Sequence, residues 1–284
     1  MASIKTPLVS IVIPCYNGAS TILEAVQSAL DQSYKNIEIV VVDDGSTDNS
    51  RIIVEKIILS EPKVSLHTQE NRGLSAARNF GLHQVKGEYV VFLDADDKLK
   101  ETYLSLALAY YLENPDTTIV YSNMELFERE TGLFPLDAFE IKSFLRQNCI
   151  PAFAMVRVKQ IRAIGGFDES VTLCEDWECW MHLLKVFGGS VHRIEEPQYF
   201  YRKRITNDSI LDRYKENTEK LKKVRVYVFS KHQEFYDEHN MDLESFYQME
   251  DKLKKLTKKY YNTWYRRYFY KWFKPQKYSS VYIK

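Results

Sequence analysis

The chain has 284 residues, and its 39 Lys and Arg balance 39 Asp and Glu, so the formal net charge is zero. With 45% hydrophobic and 27% charged residues it has the composition of a soluble globular protein long enough to bury a sizeable core. The balance excludes a globally basic nucleic-acid binder, though not a local basic patch, and no apolar run approaches the roughly 18 residues of a membrane span.

The expectation at residues 1–7 is of no signal peptide, since no long apolar stretch occurs there. Cys15, Cys149, Cys174 and Cys179 have no CxxC spacing and read as free thiols of a reducing compartment. The runs VSIVIP at 9–14, IEIVVV at 37–42 and YVVFL at 89–93 are short, apolar and rich in β-branched residues. Such runs predict strands buried on both faces, as in a parallel sheet. Between them lie helical patterns. TILE at 21–24 has the form of a capping box, and apolar residues recur at Ala25, Val26, Ala29 and Leu30. Further helices are predicted over 48–59 and 75–84. Alternating strands and helices indicate a doubly wound α/β sheet.

Residues 98–205 are more mixed. Strands are predicted over 118–124 and 152–157, a break at Gly165-Gly166, and a helix over 177–187 ended by Gly188-Gly189. After Arg204 the pattern is helical, with Pro275 expected to end the last helix.

In open α/β sheets ligands sit beyond the carboxyl ends of the strands. Pro14-Cys15-Tyr16-Asn17-Gly18 follows the first strand, Asp43-Asp44-Gly45-Ser46-Thr47-Asp48 the second, and Asp94-Ala95-Asp96-Asp97 the third. Clustered carboxylates need a cation, a proton or a hydrogen-bonding ligand. Asp94-x-Asp96 suits Mg²⁺ or Mn²⁺, which take oxygen ligands; the alternative is turn and N-cap acids for the next helix. Capping is the better reading for Ser46, Thr47 and Asp48.

The blocks VSIVIPCYNG, EIVVVDDGSTD, ENRGLSAARNFG and GEYVVFLDADD together resemble glycosyltransferase family 2, the inverting enzymes with the GT-A fold. The resemblance covers residues 7–205. It implies a GT-A domain over 1–205, with a nucleotide-binding half at 1–97 and an acceptor half at 98–205, followed by a helical C-terminal region at 206–284. A mostly parallel, Rossmann-like sheet flanked by helices is the implied architecture. Pro14, Tyr16 and Asn17 would line the nucleotide pocket, with core packing the alternative for Tyr16. Asp44 would accept from a uracil ring, and Arg78 would approach the nucleotide or its phosphates unless it forms a surface ion pair. Asp96 would bind the metal directly, with Asp94 near the ribose or metal waters.

GGFDE at 165–169 and EDWE at 175–178 extend the resemblance. Inversion needs a base opposite the leaving group, and a carboxylate within reach of the acceptor hydroxyl can serve. On that match Asp176 is the base and Glu175 contacts the acceptor. Trp177 stacks on an acceptor sugar or packs beneath the site, and Glu178 reads as a first-turn helix acid. Tyr201-Arg202-Lys203-Arg204 occupies a block where some relatives carry a metal-binding or diphosphate-binding His. Arg204 stands there instead, so Arg202, Lys203 or Arg204 would neutralise a diphosphate, or the segment is a solvated basic turn.

The implied activity is metal-dependent transfer from a nucleotide sugar, a UDP-sugar by resemblance, to a glycan or lipid-linked glycan. The alternatives are a non-catalytic sugar-nucleotide-binding module and a sugar nucleotidyltransferase, whose Gly-rich loop is missing; an absent GxGxxG argues against a Rossmann dehydrogenase. Residues 252–284 carry eleven Lys and Arg, eleven aromatics and no acid. Leu253, Leu256, Tyr260, Trp264, Tyr268 and Trp272 recur at helical spacing. A basic helix with aromatic anchors suits an anionic membrane surface; docking on the catalytic domain or a second chain is the other reading. No nucleic-acid partner is expected, and the location implied is cytoplasmic, peripheral on the inner face of the membrane.

Overall fold

A computed structural model describes residues 6–205, 218–260 and 264–276, the side chains of 218, 258–260, 264 and 267 excepted. Two compact units divide the chain, 1–232 and 233–284.

The first unit is built on a nine-stranded sheet of order β3-β2-β1-β4-β8-β6-β9-β5, with β7 paired to β6. Its first half is wholly parallel. The apolar runs form β1 (Val9–Cys15), β2 (Ile37–Asp44) and β4 (Tyr89–Phe92), and β1 pairs with both others from the register Val9↔Ile37 and Val9↔Tyr89. Their faces are covered by α1 (Ile22–Leu30), α2 (Ser50–Ile58) and α3 (Leu74–Gln84). β3 (Val64–Gln69), which the apolar pattern does not mark, completes this half as an edge strand; most of its residues are only partly buried.

The second half is mixed. β8 (Met155–Arg157) pairs antiparallel with β4 and with β6 (Thr117–Glu128). β9 (Ser190–Lys203) runs parallel to β6 and antiparallel to β5 (Lys98–Leu99), and β7 (Gly132–Leu133) turns back along β6. Charges and Pro197 hid β9 from the sequence pattern. Four further helices belong here: α4 (Tyr103–Glu113), the short α5 (Ile141–Phe144) and α6 (Val158–Ala163), and α7 (Glu175–Phe187). Gly188 and Gly189 end α7 with φ of +58° and +81°, a conformation glycine takes without strain.

The capping box expected at Thr21 does not form. The Thr21 side chain makes no cap bond, and Glu24 turns to Arg202 and Lys98. Two charged partners outweigh one exposed backbone N–H.

α8 (Thr218–Lys231) closes the first unit. The second unit holds α9 (Gln233–Glu238), α10 (Leu243–Tyr260) and α11 (Trp264–Phe273). α11 stops at Phe273, and Pro275 and Gln276 are helical again. The Tyr260 and Trp264 side chains of the expected tail stripe lie outside the described residues, as do 261–263 and 277–284. Among the described residues no helix is long and apolar enough to cross a membrane.

Candidate active site

The carboxyl ends of β1, β2 and β4 open into one cavity of about 770 Å³, lined on the other side by the start of α7 and by Leu221 and Arg225 of α8. It brings together Pro14, Tyr16, Asp44, Arg78, Asp94, Asp96, Glu175, Asp176 and Arg204, which the sequence scatters over nearly 200 positions.

At the carboxyl end of β2, Asp44 is almost fully buried. Its carboxylate accepts from Gln69 Nε2 at 2.7 Å and from the backbone N–H groups of Arg72 and Gly73, each at 2.9 Å. It therefore shapes the 70–73 loop as well as facing the cavity. Tyr16 is exposed, which removes core packing as its role. Asn17 does not line the cavity. It stands at φ +51°, and its Oδ1 accepts from the Thr47 N–H at 2.8 Å, strapping the loop after β1 to the loop after β2. Asp48 strengthens that strap by accepting from Ala19 N at 3.0 Å.

Arg78 is the hinge of the site. Its guanidinium is 1% exposed; one arm donates to Asp94 at 2.8 Å and the other to Glu175 at 2.7 Å. A surface ion pair is excluded; both terminal nitrogens meet carboxylates, while the buried Nε has no partner among the described residues. The side chain instead ties the acids after β4 to the acids that open α7. The two carboxylates hold its pKa above the usual arginine value although burial opposes this. Asn79, the next residue, grips the 166–167 turn: its Nδ2 donates to the Phe167 carbonyl and its Oδ1 accepts from the Phe167 N–H, both at 2.8 Å. Gly166 sits at φ +78° there, and a Cβ would lie 2.3 Å from Asn79 Oδ1.

The acids at 94–97 have three different surroundings. Asp96 Oδ2 accepts from Arg204 Nη2 at 2.7 Å and Nε at 3.1 Å. Burial and the neighbouring Asp94 nevertheless raise its pKa. Asp97 is buried and accepts from Tyr199 Oη and Arg202 N, each at 2.7 Å, while burial and Asp96 push its pKa well up. Arg202 is a correction to the expected diphosphate contact. Its guanidinium is spent on Glu128 at 2.7 Å, Glu24 at 3.1 Å and the Asp96 carbonyl at 2.6 Å, and it does not line the cavity. Lys203 is buried, with its ammonium 5.4 Å from the Tyr201 ring centroid.

On the opposite wall Cys174 caps α7 at φ +55°, a left-handed conformation that costs a non-glycine residue energy and recurs at functional sites. None of the four cysteines is in a disulfide. Glu175 and Asp176 fill the first helical turn, where the helix dipole favours negative charge. Burial first, then the adjacent Glu175 carboxylate, push Asp176 up to about 7 against the opposing pull of Arg78. Of the two readings of Trp177, packing beneath the site is the one its burial supports: its ring is 2% exposed and Nε1 donates to the Phe144 carbonyl at 2.7 Å. Glu178 is a second correction. It is 1% exposed and accepts from His232 Nε2 at 2.7 Å and Lys231 Nζ at 2.9 Å. Lys231 also bonds Asp168, which Tyr227 joins at 2.7 Å, so α8 grips both ends of the segment carrying Asp176. No local sequence signal marks that grip.

Six carboxyl groups and three arginines line the cavity. That surplus of acid, with Asp94 and Asp96 side by side, fits a hard divalent cation whose remaining ligands come from substrate phosphates. Among the described residues no group of three or more His, Cys, Asp or Glu is placed to hold a metal ion by itself.

Residues 10–164 match the profile of glycosyl transferase family 2. Glycosyltransferase GlyG of Streptococcus pneumoniae is 38% identical over 223 residues, 69% of this chain and 71% of that protein. The chain spans about a third to three-fifths of the length of the first curated relatives it matches. Staphylococcus aureus TarS 1-349 in complex with UDP-GlcNAc superposes with a TM-score of 0.61 at 24% identity, over 69% of this chain and 58% of that one. Mannosyltransferase PcManGT of Pyrobaculum calidifontis, in complex with GDP-Man and Mn²⁺, gives 0.61 at 22% identity, over 78% and 64%. At these identities the likeness bears on the fold, which is GT-A. A profile match over more than half of the chain makes this protein a member of glycosyl transferase family 2.

Proposed function

We propose that the protein is a metal-dependent inverting glycosyltransferase. It moves a sugar from a nucleotide-sugar donor, a UDP-sugar in the first instance, to a hydroxyl of a glycan or lipid-linked glycan in bacterial surface polysaccharide synthesis. The observation that carries the reading is the pairing, in one cavity, of Asp94 and Asp96 with Glu175 and Asp176 through the buried Arg78. A binding module alone would not need a second acidic pair on the opposite wall.

Asp176 is the base. A carboxylate with a pKa near 7 is ionised often enough at neutral pH and basic enough to take a hydroxyl proton. As it takes that proton, the acceptor oxygen bonds to the anomeric carbon. The bond from that carbon to the diphosphate oxygen breaks with its electron pair, and the nucleoside diphosphate leaves. Glu175 stands beside the base, within reach of an acceptor hydroxyl, and Arg78 orients it. Asp44, Pro14 and Tyr16 form the nucleotide end. Mn²⁺ or Mg²⁺, held by Asp96 with Asp94, would supply charge neutralisation at the departing diphosphate. Arg204, already on Asp96, lines the same cavity, and its guanidinium charge suits phosphate oxygens. The PcManGT complex with Mn²⁺ and the TarS complex with UDP-GlcNAc support this choice of cation and nucleotide.

The test is release of nucleoside diphosphate from a panel of nucleotide sugars with Mn²⁺, with and without glycan acceptors. Acceptor-dependent release that Asp176→Asn abolishes is the expected result. Nucleotide binding with no turnover across the panel would favour the binding module.

A further inference from the structure

No step above uses the basic, aromatic C-terminal stretch. In α11, Tyr265, Tyr268, Phe269, Trp272 and Phe273 fall at i, i+3, i+4, i+7 and i+8, the spacing of one helix face. All five are exposed, Trp272 and Phe273 to 74%. The Phe269 and Phe273 rings stack with centroids 5.2 Å apart, so the face is ordered rather than a scatter of loose rings. At such exposure five aromatic side chains present roughly 500–800 Å², above the size of an ordinary surface patch. Lys271 and Lys274, both exposed, fall outside that arc at i+6 and i+9. α10 repeats the design: Met249, Leu253 and Leu256 are exposed at i, i+4 and i+7, with Lys252 and Lys255 exposed beside them.

The charge selects the partner. Residues 252–284 hold eleven Lys and Arg and no acid, while 1–251 hold 28 basic and 39 acidic residues. An apolar protein groove would be met equally well by a neutral helix. A surface that is apolar below and anionic at its rim accounts for both faces at once. Tyr and Trp settle at the headgroup level, where an amphipathic ring has one wet end, and Lys and Arg reach anionic headgroups. α11 has ten residues, roughly 15 Å, too short and too charged to span.

We propose that the aromatic face of α11, with the apolar edge of α10, lies flat in the headgroup layer of an anionic bilayer. This stands apart from the transferase reading, and either can fail without the other.

The test is flotation of the full chain with vesicles of neutral phosphatidylcholine and with vesicles containing about 40% phosphatidylglycerol, at low and high salt. At least tenfold tighter binding to the anionic vesicles, weakened by salt, is expected. The double substitution Phe269→Asp with Trp272→Asp should lose at least tenfold while its Tm stays unchanged. Equal partition into both vesicles, or full binding by the double variant, overturns the proposal. So does a vesicle-indifferent dimer that the double variant breaks, since the face would then join two copies. A short RNA that binds where vesicles do not would also reject it.

Discussion

The Arg78 guanidinium donates to Glu175 at 2.7 Å from a position 1% exposed to solvent, and its second arm reaches Asp94 at 2.8 Å. One cation thus ties the acids after β4 to the acids that open α7. Arg78→Gln removes the charge and leaves two carboxylates uncompensated, which should cost about 2–4 kcal/mol of stability and more than a hundredfold in turnover. Arg78→Lys restores charge but not the two-armed fork. It should recover part of the stability in urea unfolding and little of the turnover. Wild-type turnover in Arg78→Lys would show that bridging is not required.

Asp176 sets the expected pH dependence. The base works ionised, so turnover should fall as pH drops through about 7. Asp176→Asn should lose about a thousandfold or more in turnover and keep nucleotide affinity within about threefold. It should also stabilise the fold at pH 8. A carboxyl raised from 3.8 to about 7 in the folded state contributes most stability below 3.8 and loses it as pH rises through 7. The gain in Tm over wild type should therefore be present at pH 8 and absent near pH 4, as calorimetry at both pH values would measure.

Chelation should stop transfer, and added Mn²⁺ or Mg²⁺ should restore it. Asp96→Asn should raise the cation concentration needed for half-maximal activity at least tenfold. Arg204→Gln should instead weaken binding of the nucleoside diphosphate, leaving the cation requirement closer to wild type. Activity that survives exhaustive chelation would remove the metal from the mechanism.

Glu178 is the buried anchor of α7 on α8. Burial alone would raise its pKa, but His232 and Lys231 hold it below the ordinary 4.5. The stability from that lowered value is present above 4.5 and lost as pH falls through the folded value. Glu178→Gln should lower Tm at pH 7 by an amount equivalent to about 2–4 kcal/mol. The deficit should shrink in acid. A Tm unchanged at pH 7 would show that the ion pairs are not what holds α8 in place.

The sequence by itself determined the parallel half of the sheet, because buried strands there must be short, apolar and β-branched, and that is a local property. It also placed acids at two strand ends, where the fold exposes them to a ligand. Edge strand β3 and the charged β9 escaped the same rule, since a strand buried on one side, or broken by Pro197, loses the continuous apolar run. What only the tertiary structure decided is which charge meets which. Arg78 meets Glu175 across 97 positions, and Arg204 meets Asp96 across 108. Arg202 looked like a phosphate ligand and became a strut for Glu24 and Glu128; Trp177 looked able to hold a sugar and became core. Side-chain type states what a group can bind. Which partner it finds depends on packing that brings distant segments within 3 Å, and no local pattern of residues encodes that distance.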